Sequence, residues 1–316
     1  MKPVAAALAV CLMIGAFTLD VVQARQQKSP QNANTGEDAP IRAEVTRVNM
    51  LFTVTDKHGR FVTGLNRNDF QIAENKKPQE IMEFTSETDL PLRLAILIDT
   101  SNSIRDRFHF QQEAATNFVN SVIRKQDKAI VVSFDTAAEL VADLTDDTNK
   151  LENAIRGLRP GGGTALYDAI YFACKDKLML DQPMYKFRRA MVILSDGDDN
   201  ESRTSRDQAL EMAQRADTVI YTISTNISHI ETDGDKVMRY FAEQTGGASF
   251  FPFQAKDLNQ SFENIANELR HQYNLFYRPQ PLRNDGQYHT VQIKVKNRKD
   301  LVVRARKGYY ARHENT

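Results

Sequence analysis

The sequence predicts an α/β protein: a doubly wound, mostly parallel sheet inserted into a discontinuous β-sandwich. Three observations lead there. The run Leu94-Ala95-Ile96-Leu97-Ile98 lacks the alternation of a half-solvated strand and suits a strand buried on both faces. Between residues 91 and 270 such runs alternate with stretches of helical spacing, the pattern of a parallel sheet covered by helices. On either side, residues 42–90 and 271–312 carry only short strands, too few in either stretch to bury a core alone.

In chain order, Lys2 precedes an apolar stretch over residues 4–19, and Val22-Gln23-Ala24 has the small residues of a cleavage site. Residues 1–24 therefore read as a signal peptide, since the apolar run is short of the roughly 20 residues that span a bilayer. The mature chain is expected to be exported, periplasmic or secreted, with no membrane span after cleavage. Residues 25–41, rich in Gln, Asn, Ser and Pro, read as a flexible leader.

Strands are expected at 45–55, 61–62, 69–73 and 81–84, with polar turns at 57–60 and 74–77. The central region reads as strands at 94–98, 128–134, 189–194, 218–223 and 249–253, with an edge strand at 139–144. Helices are expected from Phe108 to Ile123, from Leu151 to Leu158, and over 165–178, 206–216, 235–244 and 258–270. Further strands at 273–277, 289–295 and 301–305 supply partners for the N-terminal ones. The two arms are expected to form one sandwich rather than two separate appendages.

Composition narrows the function. The 316-residue chain has 41 basic and 41 acidic residues, so it lacks the basic excess of nucleic-acid binders. Cleavage would leave Cys174 alone, with no internal disulfide, on the apolar side of a helix. The histidines show no zinc spacing, Gly161-Gly162-Gly163-Thr164 lacks the Gly-Lys-Ser/Thr of a phosphate loop, and no Gly-x-Ser-x-Gly is present.

In an open parallel sheet, ligands bind beyond the C-terminal ends of the strands. Three segments bring oxygen atoms to that edge: Asp99-Thr100-Ser101-Asn102-Ser103, Gly161-Gly162-Gly163-Thr164 and Ser195-Asp196-Gly197-Asp198-Asp199. Taken singly each has a plain structural reading. Asp99, Ser101, Ser103 or Thr164 would cap a helix, and Asp196-Gly197 would make a turn. Together, one or two carboxylates plus hydroxyls and water make a hard oxygen site suited to Mg²⁺. Asp198, Asp199 and Glu201 read as a solvated acidic loop.

These segments resemble the von Willebrand factor A domain family. There Asp-x-Ser-x-Ser, a distant Thr and a distant Asp form a metal-ion-dependent adhesion site, matched here by Asp99, Ser101, Ser103, Thr164 and Asp196 in order and separation. The strand–helix pattern is similar over residues 91–270. The flanks VTDKHGRFVTGLNRNDFQIAENKKPQEI, QYNLFYRP and VVRARKGYY resemble exported bacterial proteins of a von Willebrand factor A-related group common in acidobacteria. The resemblance implies a non-enzymatic adhesion or protein-binding module. Its metal would be Mg²⁺, with Mn²⁺ or Ca²⁺ as alternatives, and its partner a protein supplying an Asp or Glu carboxylate. Two other readings stay open: a Mg²⁺-dependent hydrolase or phosphotransferase with Asp99 as nucleophile, and a scaffold with a structural metal.

Overall fold

A computed structural model describes residues 47–86, 90–226, 228, 230–252 and 254–311. The expected signal peptide and leader lie outside these residues. Among the described residues no helix is long and apolar enough to cross a membrane.

The centre is a six-stranded sheet of β5 (Leu92–Asp99), β6 (Lys128–Phe134), β7 (Ala138–Thr145), β8 (Arg188–Ser195), β9 (Thr218–Ser224) and β10 (Ser249–Phe250), in the order β10-β9-β8-β5-β6-β7. All neighbours are parallel except β6 and β7, which form an antiparallel hairpin at the edge. Every residue of β5 is buried, which explains its unbroken apolar run. Leu94, Ile96 and Ile98 pack with α1 (Phe108–Val122), α2 (Thr148–Gly157) and α6 (Ala255–Arg270) on one face. Ala95 and Leu97 pack with α3 (Leu166–Phe172), α4 (Arg206–Arg215) and α5 (Asp233–Thr245) on the other. Strand alternation thus feeds two separate cores, as a doubly wound sheet requires.

Helix starts follow local chemistry. Ser205 with Gln208 and Thr232 with Asp235 form capping boxes on α4 and α5. The helix expected over 165–178 is α3 followed by a π turn at Ala173–Lys177 and a 3-10 turn at Leu178–Leu180. Cys174 in that turn is fully buried, and burial pushes its thiol up to about 12, consistent with a packing role. Of the strand expected over 249–253, Ser249–Phe250 forms a strand and residues 251 and 252 do not, while Phe253 lies outside the described residues.

The two arms interleave. β1 (Val48–Asp56) lies between β11 (Tyr273–Tyr277) and β13 (Leu301–Ala305), with β4 (Ile81–Thr85) beyond β11. The second sheet runs β14-β12-β2-β3, with β2 (Phe70–Glu74), β3 (Lys77–Gln79), β12 (Tyr288–Val295) and β14 (Gly308–Tyr310). Phe52, Phe70, Ile72, Tyr273, Leu275 and Ile293 share one core between the sheets. The polar turn at 74–77 closes a β2–β3 hairpin, with Asn75 and Lys76 at positive φ of 47° and 67°. Phe61 makes only an isolated bridge to Thr55, so no strand restarts there.

This sandwich is clamped to the α/β layers. Glu268 on α6, raised by burial above the usual carboxylate range, pairs with Arg304 on β13, and Arg306 pairs with Asp217 at 2.8 Å. Gly246 ends α5 at φ +89°, where a Cβ would lie 2.5 Å from the Ala305 and Arg306 backbone. Only glycine permits that approach.

Candidate metal centre

The site stands at the C-terminal edge of the sheet because β5 and β8 end there side by side. Ile98 is level with Leu194, so Asp99 and Ser195 leave the sheet as neighbours. The Ser195 hydroxyl donates to Asp99 Oδ2 at 2.6 Å, and the Ser101 amide donates to Asp99 Oδ1 at 2.8 Å. Asp99 is wholly buried. Burial, reinforced by the charge of Asp196 and offset by the Ser101 and Ser195 hydrogen bonds, pushes its carboxyl up to about 6. The charge acting on it most strongly is that of another carboxylate, Asp196.

The three segments expected to converge are hydrogen-bonded to one another. The Gly161 amide donates to Thr100 O at 2.6 Å, and the Asn102 amide to Gly162 O at 3.2 Å, which joins the glycine-rich loop to the loop after β5. The Thr164 amide donates to Asn200 Oδ1 at 2.9 Å, while Thr164 O accepts from the amides of Asn200 and Glu201 at 3.0 and 3.1 Å. That joins the glycine-rich loop to the loop after β8.

Within this frame the capping readings are not realised. Ser101 precedes a 3-10 turn at Asn102–Arg107 without a side-chain cap, and its hydroxyl lies 2.9 Å from that of Ser103. Ser101 is buried and Ser103 exposed, so the pair leads from the interior to the surface. Ala165, not Thr164, is the cap residue of α3, and it makes no side-chain cap bond. Thr164 is buried at the junction of the two loops. The turn reading of Asp196 is partly realised, since the Asp198 amide donates to its Oδ1 at 3.3 Å. Gly197 follows at φ +82°, where a Cβ would meet Gly234 O at 2.2 Å, so the Asp196 loop lies directly on the start of α5.

Three residues that sequence reasoning undervalued hold these groups in place. Ser195, adjacent to Asp196, orients the Asp99 carboxylate. Asn200 fixes the Thr164 backbone. Asp199 is no solvated bystander: its Oδ2 accepts from the Tyr167 amide at 2.9 Å and the Ser202 hydroxyl at 2.7 Å, tying the loop to the first turn of α3. Asp198 does face solvent, and partial burial with the charges of Asp196, Asp233 and Asp235 raises its carboxyl. Among the described residues no three His, Cys, Asp or Glu side chains converge as a metal cluster. A cation here would therefore need the hydroxyls as well as the two carboxylates. The residues fit that demand: a buried carboxylate held by neutral donors stands beside paired hydroxyls and a second acid.

Comparison with known proteins follows the same outline. Residues 94–199 match the family model of the von Willebrand factor type A domain. The chain is 26% identical over 207 residues to the calcium-activated chloride channel regulator 1 of Bos taurus, covering 62% of this chain and 21% of that protein. It is 27% identical over 169 residues to the human von Willebrand factor A domain-containing protein 3B, covering 51% of this chain and 12% of the relative. The chain thus spans a minor part of both curated relatives. Among solved structures, a von Willebrand factor type A protein from Catenulispora acidiphila superposes with a TM-score of 0.51 at 15% identity, over 87% of this chain and 76% of that one. The proximal thread matrix protein 1 of the mussel byssus gives 0.50 at 16% identity, over 62% and 51%. At these identities the likeness is one of fold.

Proposed function

We propose, from the match of residues 94–199 to the von Willebrand factor type A domain, that this chain is an exported, non-enzymatic binding protein that captures a carboxylate of a protein partner through a divalent cation. Asp99, Ser101, Ser103, Thr164 and Asp196 would hold the ion. Mg²⁺ suits this set best, because hydroxyls and a pair of carboxylates leave room for the waters it retains; Mn²⁺ or Ca²⁺ would substitute. The cation would supply positive charge at the sheet edge, only partly neutralised by the protein, and so a place for an incoming acid.

The observation that carries this reading is the buried Asp99, held by neutral donors beside a second acid, inside three loops hydrogen-bonded to one another. A buried anion is costly unless paired. A phosphotransferase reading would want a lysine or arginine beside Asp99 to meet phosphate charge, whereas the hydrogen bonds on Asp99 come from the Ser195 hydroxyl and the Ser101 amide.

The test is affinity capture from the native source, in Mg²⁺ and in EDTA, with wild type and Asp99→Asn. A partner retained by wild type in Mg²⁺, released by EDTA and absent from the variant is expected. Equal capture under all conditions contradicts the proposal.

A further inference from the structure

The β-sandwich holds a buried polar cluster that the cation site does not use. Glu74 on β2, His289 on β12, Tyr309 on β14 and Tyr277 on β11 come from both sheets, and all four are buried. Glu74 Oε2 accepts from the Tyr277 hydroxyl at 2.7 Å and from the Tyr309 hydroxyl at 3.1 Å. Its Oε1 lies 2.8 Å from His289 Nδ1. The other ring nitrogen, Nε2, lies 3.1 Å from Oδ1 of Asp285, in the connection between β11 and β12. A neutral imidazole has one N–H and an imidazolium has two. With a carboxylate oxygen at each nitrogen, His289 is placed to donate from both, which is the arrangement of the imidazolium. Burial opposes that charge, but the hydrogen bonds and charges of Glu74 and Asp285 outweigh it and hold the ring above its ordinary 6.5. The other groups around the ring do not compete for this proton. Burial raises the hydroxyls of Tyr277 and Tyr309, Arg306 acts on both from its place after β13, and Asn75 Nδ2, 3.4 Å from Nδ1, is neutral.

We propose that His289 is a proton-operated clasp, which fastens residues 281–287 to the sandwich while both ring nitrogens carry hydrogen and releases them when Nε2 gives its proton to solvent. Nε2 rather than Nδ1 loses the proton because the two acceptors differ in burial. Glu74 is 5% exposed, and depriving a buried carboxylate of a donor is costly. The Asp285 side chain is 36% exposed, so water replaces the bond it loses. The same Asp285 Oδ1 accepts from the Gln287 amide at 3.0 Å, so the atom that meets the ring also shapes the turn before β12. Gln79 on β3 holds the backbone amide and carbonyl of Gln280 at 2.9 and 3.1 Å, which confines the movement to the segment beyond Gln280. That segment carries Leu282, 40% exposed, so proton loss alters the surface of the sandwich there. The folded chain binds this proton more tightly than the unfolded one. The clasp therefore stabilises fully below pH 6.5, and its contribution is lost as pH rises through the higher folded value.

The test is nitrogen-15 NMR of the histidine rings in the full chain, from about pH 5 to 9. His289 is identified by its proximity to the Tyr309 ring, whose centroid lies 5.5 Å from its own. The ring is expected to carry two protons below pH 6.5, to titrate above that value, and to end as the Nδ1–H tautomer. The backbone resonances of Gly286 and Gln287 are expected to move with the same midpoint. Asp285→Ala, on an exposed turn, should lower the His289 midpoint by about half a pH unit or more, because one of its two carboxylate partners is gone. In that variant the Gly286 and Gln287 resonances should no longer follow the ring. A wild-type midpoint at or below 6.5, an Nε2–H tautomer after titration, or resonances of residues 286 and 287 that ignore the ring overturns the clasp. So does a midpoint unchanged in Asp285→Ala.

Discussion

Asp99 concentrates the chemistry of the chain in one carboxylate. Its folded-state value of about 6 lies above its ordinary 3.8, so between those values the folded protein holds a proton that the unfolded chain releases. Stability of the metal-free protein therefore falls as pH rises from about 4 to about 6, and stays lower above. The effect is on the order of 3 kcal/mol at pH 7. Asp99→Asn lacks this titration, so urea unfolding in EDTA should show the variant gaining on wild type across that pH window. A constant difference from pH 4 to 8 would contradict it. With saturating cation the sign would invert, because a proton and an ion held by Asp99 would compete for the same oxygen atoms. Cation affinity is then expected to drop as pH falls below about 6, measurable by calorimetry at pH 5 and 7.5. The Asp-x-Ser-x-Ser spacing stands in the sequence itself, and the start of a 3-10 turn brings the Ser101 and Ser103 hydroxyls to 2.9 Å. The roles of Ser195 and Asn200 were not legible there, since they arise only from strand register and loop–loop hydrogen bonds.

At the scale of elements, the buried strands and their covering helices were readable because each has its own period. β5 has unbroken burial, and α1 repeats Ala115, Phe118, Val119 and Val122 on its inner side. What escaped were features set by tertiary neighbours. The π turn after α3 interrupts a sequence with good helical spacing. The bridge at Phe61 replaces an expected strand, and β14 is too short to show a pattern. Gly246 shows how an element end serves the assembly. Gly246→Ala would place a Cβ 2.5 Å from backbone atoms of Ala305 and Arg306 at φ +89°. We expect a loss of about 2 kcal/mol or more in unfolding free energy, with cation affinity nearly unchanged because the site lies at the opposite end of α5. An unaltered urea midpoint would show that β13 does not depend on this approach.

For the whole molecule, the inserted α/β layers and the interleaved arms depend on each other. β1 has both of its neighbours, β11 and β13, from the C-terminal arm, so the N-terminal arm cannot complete its sheet alone. A chain ending at Arg270 is expected to leave residues 47–86 open to limited proteolysis while the full chain resists. Equal resistance would mean that the N-terminal arm holds itself together. That the arms pair was inferable from their shared insufficiency; the order of strands was not, because short strands of similar pattern permit several pairings. The clamps through Glu268–Arg304 and Arg306–Asp217 couple the sandwich to α6 and to the turn before β9. The proposed cation site is local, with five oxygen ligands at the sheet edge for one divalent ion. Titrating Mg²⁺, and Mn²⁺ for comparison, into EDTA-stripped and dialysed protein by calorimetry tests it most directly. One site per chain is expected, abolished in Asp99→Asn while the circular dichroism spectrum stays that of wild type. Absence of binding to the folded wild-type protein, or undiminished binding to the variant, would contradict it.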